Sequence, residues 1–98
     1  AAQLLTTAIE RFRQSGDDDG ETMATVYLGQ TYKFAGDHSR AESLFLGAMA
    51  RARAAHNSHR ECEALYQLGN TYLRMDRVDD AERVQQVIDE QINPRIAA

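Results

Sequence analysis

Three clusters in the chain hold residue types that can do chemistry. His56, His59 and Cys62 stand three residues apart, and imidazole and thiolate are good zinc ligands. A structural zinc site needs a fourth ligand, for which Glu63 is the nearby candidate. The spacing therefore reads better as polar residues on a connection and a helix start. Asp17-Asp18-Asp19-Gly20-Glu21 offers the acids of a calcium loop. An EF-hand loop places glycine sixth and a bidentate glutamate twelfth. Counted from Asp17, glycine comes fourth and the twelfth residue is Leu28. The run reads instead as a turn, with negative charge at the start of the next helix where the dipole favours it. Arg51, Arg53, His56, His59 and Arg60 form a basic cluster without interleaved aromatic rings. Solvated helix surface is its first reading, and contact with an acidic partner or RNA the second. Ser15, Ser39, Ser43 and Ser58 lack a nucleophile setting, and Cys62 lacks an oriented base. No glycine-rich loop stands ready to cradle a phosphate. The expectation is no enzyme, no cofactor and no metal site.

These residues must be carried by a small scaffold. The chain has 98 residues, 11 of them Lys or Arg and 15 Asp or Glu, for a net charge of −4. That length fits one domain, 1–98, with a modest core. A single cysteine excludes an internal disulfide framework and points to a reducing, cytoplasmic setting. No apolar run approaches the ~20 residues of a membrane helix, and no membrane partner is expected. The acidic balance makes nucleic acid an unlikely main partner, because phosphate binding needs a basic surface.

The chain also repeats itself. Shifting it by 40 residues gives 13 identities over the 58 overlapping positions, with no gap. Leu28-Gly29-Gln30-Thr31-Tyr32 falls on Leu68-Gly69-Asn70-Thr71-Tyr72, Ala41-Glu42 on Ala81-Glu82, and Glu21 and Ala24 on Glu61 and Ala64. Ala1, Leu4, Ala8, Arg11 and Arg13 fall on Ala41, Leu44, Ala48, Arg51 and Arg53.

Within each period the apolar spacing is that of two helices. Ala24, Leu28, Tyr32 and Ala35 form one stripe, and Ala41, Leu44, Phe45, Ala48 and Ala52 the next. Gly36-Asp37 separates them, glycine accepting the left-handed conformation after a helix and the polar residues capping the following one. The second period holds Ala64, Leu65, Leu68, Tyr72 and Met75, then Ala81, Val84, Val87 and Ile88. Pro94 is expected to stop the last helix. The layout predicted is five all-α rods: residues 1–15 as the second helix of a partial repeat, a full repeat at 21–55, a terminal repeat at 61–92, and a tail at 93–98. Gly16 to Gly20 is the first connecting loop. Gly29 and Gly69, each mid-helix, are expected to let the paired helix approach closely, with Ala41, Ala48 and Ala81 serving the same end.

Taken together these residues resemble the tetratricopeptide repeat family, whose motif of about 34 residues carries Leu-Gly, Tyr, Ala, Phe and Ala at set spacings. Leu28, Gly29, Tyr32, Ala41, Phe45 and Ala48 match in one repeat, and Leu65, Leu68, Gly69, Tyr72 and Ala81 in the next; Thr25, Gln85 and Ile88 depart from the pattern. The 40-residue period is similar to the longer variant of polarity adaptors of the Pins/LGN type, kinesin light chains and bacterial regulators. The resemblance implies a right-handed α-solenoid of about two and a half repeats. It also implies a concave groove, lined by first helices, that binds a peptide or protein segment.

The groove positions so implied are Met23, Val26, Gln30, Lys33 and Phe34 in one repeat and Glu63, Tyr66, Asn70, Leu73 and Arg74 in the next. Asn70 and Gln30 can bond a peptide backbone, Tyr66 and Phe34 offer apolar area, and Lys33 and Arg74 can pair a carboxylate. Val26 and Tyr66 stand where a chaperone-tail clamp would place lysine, so that specialised mode is not expected. A scaffold or adaptor role follows. The alternatives are a ligand- or peptide-sensing module of a signalling or transcriptional regulator, and a homo-oligomerisation module. In the last, the open N-terminal helix, with Leu4, Leu5, Ala8 and Phe12, stacks on a second copy. Gln85 and Gln86 replace Phe45 and Leu46, so the last helix is more polar and is expected to close the array.

Overall fold

The computed structural model describes residues 2–97. Five rods run antiparallel in chain order: α1 (Ala2–Ser15), α2 (Asp18–Phe34), α3 (His38–Ala54), α4 (Ser58–Arg74) and α5 (Val78–Val87). The last rod continues through a single π turn, Ile88–Ile92, into a short α6, Asn93–Ala97. The all-α solenoid of helical hairpins expected from the sequence is what forms.

The turns explain the regularity. Gly16, Gly36, His56 and Asp76 all take positive φ (76°, 86°, 56° and 59°), one left-handed residue every 20 positions. In each turn the following residue's amide reaches back to the helix it leaves, at 2.9 Å for Asp17 to Phe12, Asp37 to Tyr32 and Asn57 to Ala52, and 2.8 Å for Arg77 to Tyr72. This is the Schellman arrangement, which satisfies carbonyls that the helix end leaves open. The same residue then starts the next helix. Asp17, Asp37 and Asn57 accept from the backbone amides of Gly20, Arg40 and Arg60 at 2.8, 3.2 and 3.1 Å. Arg77 has no side chain suited to that role and makes no such bond. The first connection is therefore shorter than the sequence suggested. Asp18 already belongs to α2, and Gly20 is buried where the Phe12 ring crosses it; a Cβ there would meet that ring at 2.6 Å.

The core threads between the rods. Val26, Ala41, Phe45, Ala48, Ala64 and Ile92 are fully buried, joined by Leu65, Leu68, Val84 and Ile88. Burying a side chain as large as Phe45 stabilises by about 3 kcal/mol. Its ring lies on Gly29: a Cβ built there would meet Phe45 Cε1 at 2.5 Å. Gly69 differs from the expectation. A Cβ at that position meets only Val84 Cγ1 at 3.5 Å, because exposed Gln85 stands where the first repeat has Phe45. Pro94 also departs from its expected role, since the helix runs on through it. The π turn bonds the Asn93 amide to the Ile88 carbonyl. Pro94 then falls in the first turn of α6, directly after the π turn, the part of a helical segment where proline is best tolerated.

Ion pairs lock successive hairpins. Glu21 and Glu61, equivalent by the 40-residue shift, are both buried. Glu21 Oε2 holds Arg13 Nη2 at 3.2 Å and Arg51 Nη2 at 3.1 Å. Glu61 holds Arg53 Nε at 2.9 Å and Arg95 Nη2 at 3.3 Å. Asp19 takes Arg60 in a two-pronged bridge at 2.7 and 3.2 Å, and that hydrogen bonding holds its carboxyl below the usual range. The arginines of the basic cluster thus pair with carboxylates of other helices, Arg51 and Arg53 while remaining 40% and 52% exposed. The acidic run supplies one cap, from Asp17, and two bridging carboxylates, Asp19 and Glu21. His56 is the left-handed turn residue, and His59 sits exposed on the first turn of α4.

Candidate functional site on the inner helices

Two layers are distinguishable by which backbones meet. α2 touches α4, whereas α1 and α3, and α3 and α5, stay apart. Helices that pack on one side and splay on the other curve the array toward the packed side. The concave face is therefore that of α2 and α4.

On that face α2 presents Phe34 at its C-terminal end, 72% exposed. Lys33, the chain's single lysine, lies beside it and is only 6% exposed. Its Nζ donates to Gln67 Oε1 of α4 at 2.7 Å and sits 5.0 Å from the Phe34 ring centre. The Arg74 guanidinium comes from the end of α4 to the same ring, 5.9 Å from its centre. Arg74 Nε donates to Asn70 Oδ1 at 3.2 Å. Burial lowers the Lys33 pKa, and the positive charge of Arg74 lowers it further. Four of the residues expected to line a groove, Lys33, Phe34, Asn70 and Arg74, are thus brought together across the two repeats, and Gln30 lies half-buried one helical turn before Phe34.

Beside them, α4 and α5 enclose a groove of about 430 Å³ lined by Tyr66, Gly69, Asn70, Leu73, Val78 and Glu82, among others. Tyr66 and Leu73 are 52% and 57% exposed. Forty residues earlier, the matching Val26 and Lys33 are buried, because α4 packs over α2 and α3. Repetition of sequence with a helix on one hairpin and none of the described residues on the next leaves this groove open. Gln85 lines it, and Gln85 and Gln86 bond Asp89 and Glu90 of their own rod at 3.0 and 3.3 Å.

Two expected positions do not join the site. Val26 is fully buried in the core. Glu63 is half-buried and tied to Arg60 at 3.4 Å, on the hairpin-locking side. Met23 is half-buried. Gln67 escaped the sequence reading: in the first repeat its place is held by Tyr27, so the repeat gives it no signal. No group of three or more His, Cys, Asp or Glu side chains among the described residues is placed to hold a metal ion.

A family model described as tetratricopeptide repeat matches residues 21–87, more than half of the chain. The chain belongs to the tetratricopeptide repeat family. The match covers α2 through α5 and stops where the π turn begins. No curated protein and no solved structure matches the chain. Repeats of this family mediate protein–protein interaction and scaffolding, as non-catalytic modules. No helix among the described residues is long and apolar enough to cross a membrane.

Proposed function

We propose that this tetratricopeptide repeat array captures a peptide or protein segment on the α2/α4 face and acts as a scaffold or adaptor. The observation that carries the reading is the meeting of Lys33, Phe34, Asn70 and Arg74, from two repeats, around one exposed aromatic ring. Exposed aromatic and arginine side chains are the groups that anchor interfaces. Amide side chains such as Gln30 and Asn70 bond a segment's backbone whatever its sequence. A cytoplasm-type, reducing setting suits the free, half-buried Cys62, whose thiol burial and the neighbouring Glu61 push up, away from the reactive thiolate.

The test compares wild type with an Asn70→Ala, Arg74→Glu double variant by affinity capture, followed by direct titration of each purified partner. Both positions are exposed, so folding is expected to persist. Partners lost only by the variant support the groove; an unchanged set of partners refutes it. A second reading, self-association, is favoured by α1, which has no buried residue and leaves Leu4 78% exposed. Sedimentation at rising concentration decides it, a constant monomer mass excluding assembly through α1.

A further inference from the structure

We propose that the groove between α4 and α5 docks an amphipathic helix of a partner protein, one whose apolar stripe is flanked by Lys or Arg. That helix sits on α4 and α5 as α4 itself sits on α2 and α3. This end groove is separate from the cluster around Phe34, and its occupancy does not depend on that cluster binding anything.

The chain carries its own template for the complex. Shifted by 40 residues, the eleven residues lining the groove fall on eleven of α2 and α3. Every one of those counterparts is buried or half-buried, with α4 packed on both helices. In the groove itself Tyr66, Asn70, Leu73, Val78, Glu82 and Gln85 are exposed. Yet the open end is the more apolar of the two. Leu65, Leu73 and Val78 stand where α2 and α3 have Thr25, Lys33 and His38. A terminal repeat that faces water needs the opposite exchange. Exposed apolar surface rimmed by polar residues marks an interaction site.

The lining selects the occupant. α4 is fastened to the first hairpin by polar bonds, Lys33 to Gln67 and Arg60 to Asp19, each at 2.7 Å. At the open end the places of Lys33 and Asp19 hold Leu73 and His59, so a helix of α4's own kind finds neither partner. The α1 of a second copy offers one large exposed apolar side chain, Leu4, too little for a groove of about 430 Å³. A partner helix with apolar residues three and four apart fills it. Charge completes the choice. Glu82 and Asp89, two turns apart on one face of their rod, form no ion pair among the described residues. The counterpart of Glu82 is Glu42, which holds Arg77 at the start of α5 at 3.1 Å. Glu82 thus keeps the carboxylate of a seam without its cation, and a Lys or Arg beside the partner's apolar stripe supplies one. The net charge of −4 draws such a helix in at long range.

The test selects peptides on the 98-residue chain from a display library of helices 17 residues long, the length of α4. The library varies an apolar stripe and allows Lys, Gln or Glu beside it; each selected peptide is then titrated while amide chemical shifts are followed. The expected peptides are Lys-flanked, move amides of α5, and bind about tenfold more weakly once their lysines are exchanged for glutamate. Leu73→Gln should weaken them about tenfold as well. Glu82→Lys should reverse the preference toward the Glu-flanked version. Both positions are exposed, and ellipticity checks that each variant keeps its helices. A proline placed mid-peptide should abolish binding; unchanged binding refutes a helical occupant. Selection of no peptide that moves α5 amides, or Glu-flanked peptides that bind wild type as tightly as Lys-flanked ones, overturns the assignment. Peptides that move only amides around Gln30 and Phe34 overturn it too, while supporting the α2/α4 face. A mass that rises with concentration in wild type, and stays monomeric in Leu73→Gln, gives the groove to a second copy instead.

Discussion

Gly29→Ala and Gly69→Ala are the same substitution at the same repeat position, and the structure requires opposite outcomes. At Gly29 the new methyl meets Phe45 Cε1 at 2.5 Å, and Cδ1 and Cζ at 2.9 Å. Carbon contacts are comfortable at ~3.5–4.0 Å, so a fully buried ring must retreat by about 1 Å. Overpacking of that kind costs ~1–3 kcal/mol, against a helix-propensity gain of about 1 kcal/mol for alanine over glycine. Phe45 is walled in on every side, being 0% exposed, which places the clash toward the upper end and the net loss at about 2 kcal/mol. At Gly69 the nearest atom is Val84 Cγ1 at 3.5 Å, ordinary contact, so the propensity gain of about 1 kcal/mol stands alone. For a domain of this size each kcal/mol moves the melting temperature by roughly 4–8 °C. Gly69→Ala should melt several degrees above wild type and Gly29→Ala well below it. Thermal and urea unfolding followed by helical ellipticity measure both. A Gly29→Ala variant as stable as wild type, or a Gly69→Ala variant that loses stability, refutes the account of how the hairpins close.

Three more outcomes follow from individual residues. His56→Gly should raise stability by ~1 kcal/mol in urea unfolding, since φ is 56° at a non-glycine residue and the left-handed region costs side chains about that much. Glu61→Ala should cost about 2 kcal/mol, because a carboxylate 1% exposed loses bonds from Arg53 and Arg95 and charge-assisted bonds contribute ~1.5–3 kcal/mol each before the arginines regain water; an unchanged midpoint would show the clamp contributes nothing. Tyr72 is pushed up to about 12, first by burial and then by its hydrogen bond to Glu42. The folded phenol therefore keeps its proton where the unfolded one, at ~10, has lost it. That contribution is complete below the unfolded value and disappears as pH rises toward the folded one. Stability should fall between these two values, less steeply in Tyr72→Phe, and ultraviolet titration should show one tyrosine ionising late.

The sequence disclosed the fold because burial follows the repeat: Ala41, Ala48 and Phe45 are legible from spacing alone, and all three are fully buried. It disclosed less where two copies share a residue but not a neighbour. Gly69 keeps the glycine after Gln85 has replaced the ring that required it. Val26 matches Tyr66 in register, yet one is covered by α4 and the other faces the open groove. Which positions of a hairpin are core depends on the hairpin that follows, and a stripe on one helix does not carry that information. The ion pairs of Arg51, Arg53 and Arg60 were hidden for the same reason, although Arg51 and Arg53 do stay exposed. Their carboxylate partners Glu21, Glu61 and Asp19 lie on other helices, within reach only after the array stacks. Lys33 and Arg74 were each legible as groove residues, but not their meeting on one ring.

The clamps on Glu21 and Glu61 bear on elasticity. Glu21 ties Arg13 of α1 to Arg51 of α3, and Glu61 ties Arg53 of α3 to Arg95 of α6, across outer rods whose backbones do not touch. Each clamp works as a tendon along the convex side: flattening the array slackens it, and tightening the curve stretches it. Both carboxylates are nearly free of solvent, 3% and 1% exposed, but their arginines are half-exposed, so dissolved salt screens these pairs less than it would fully exposed ones. Resistance to tighter bending should therefore persist in salt while weakening somewhat, since one partner of each pair still faces water.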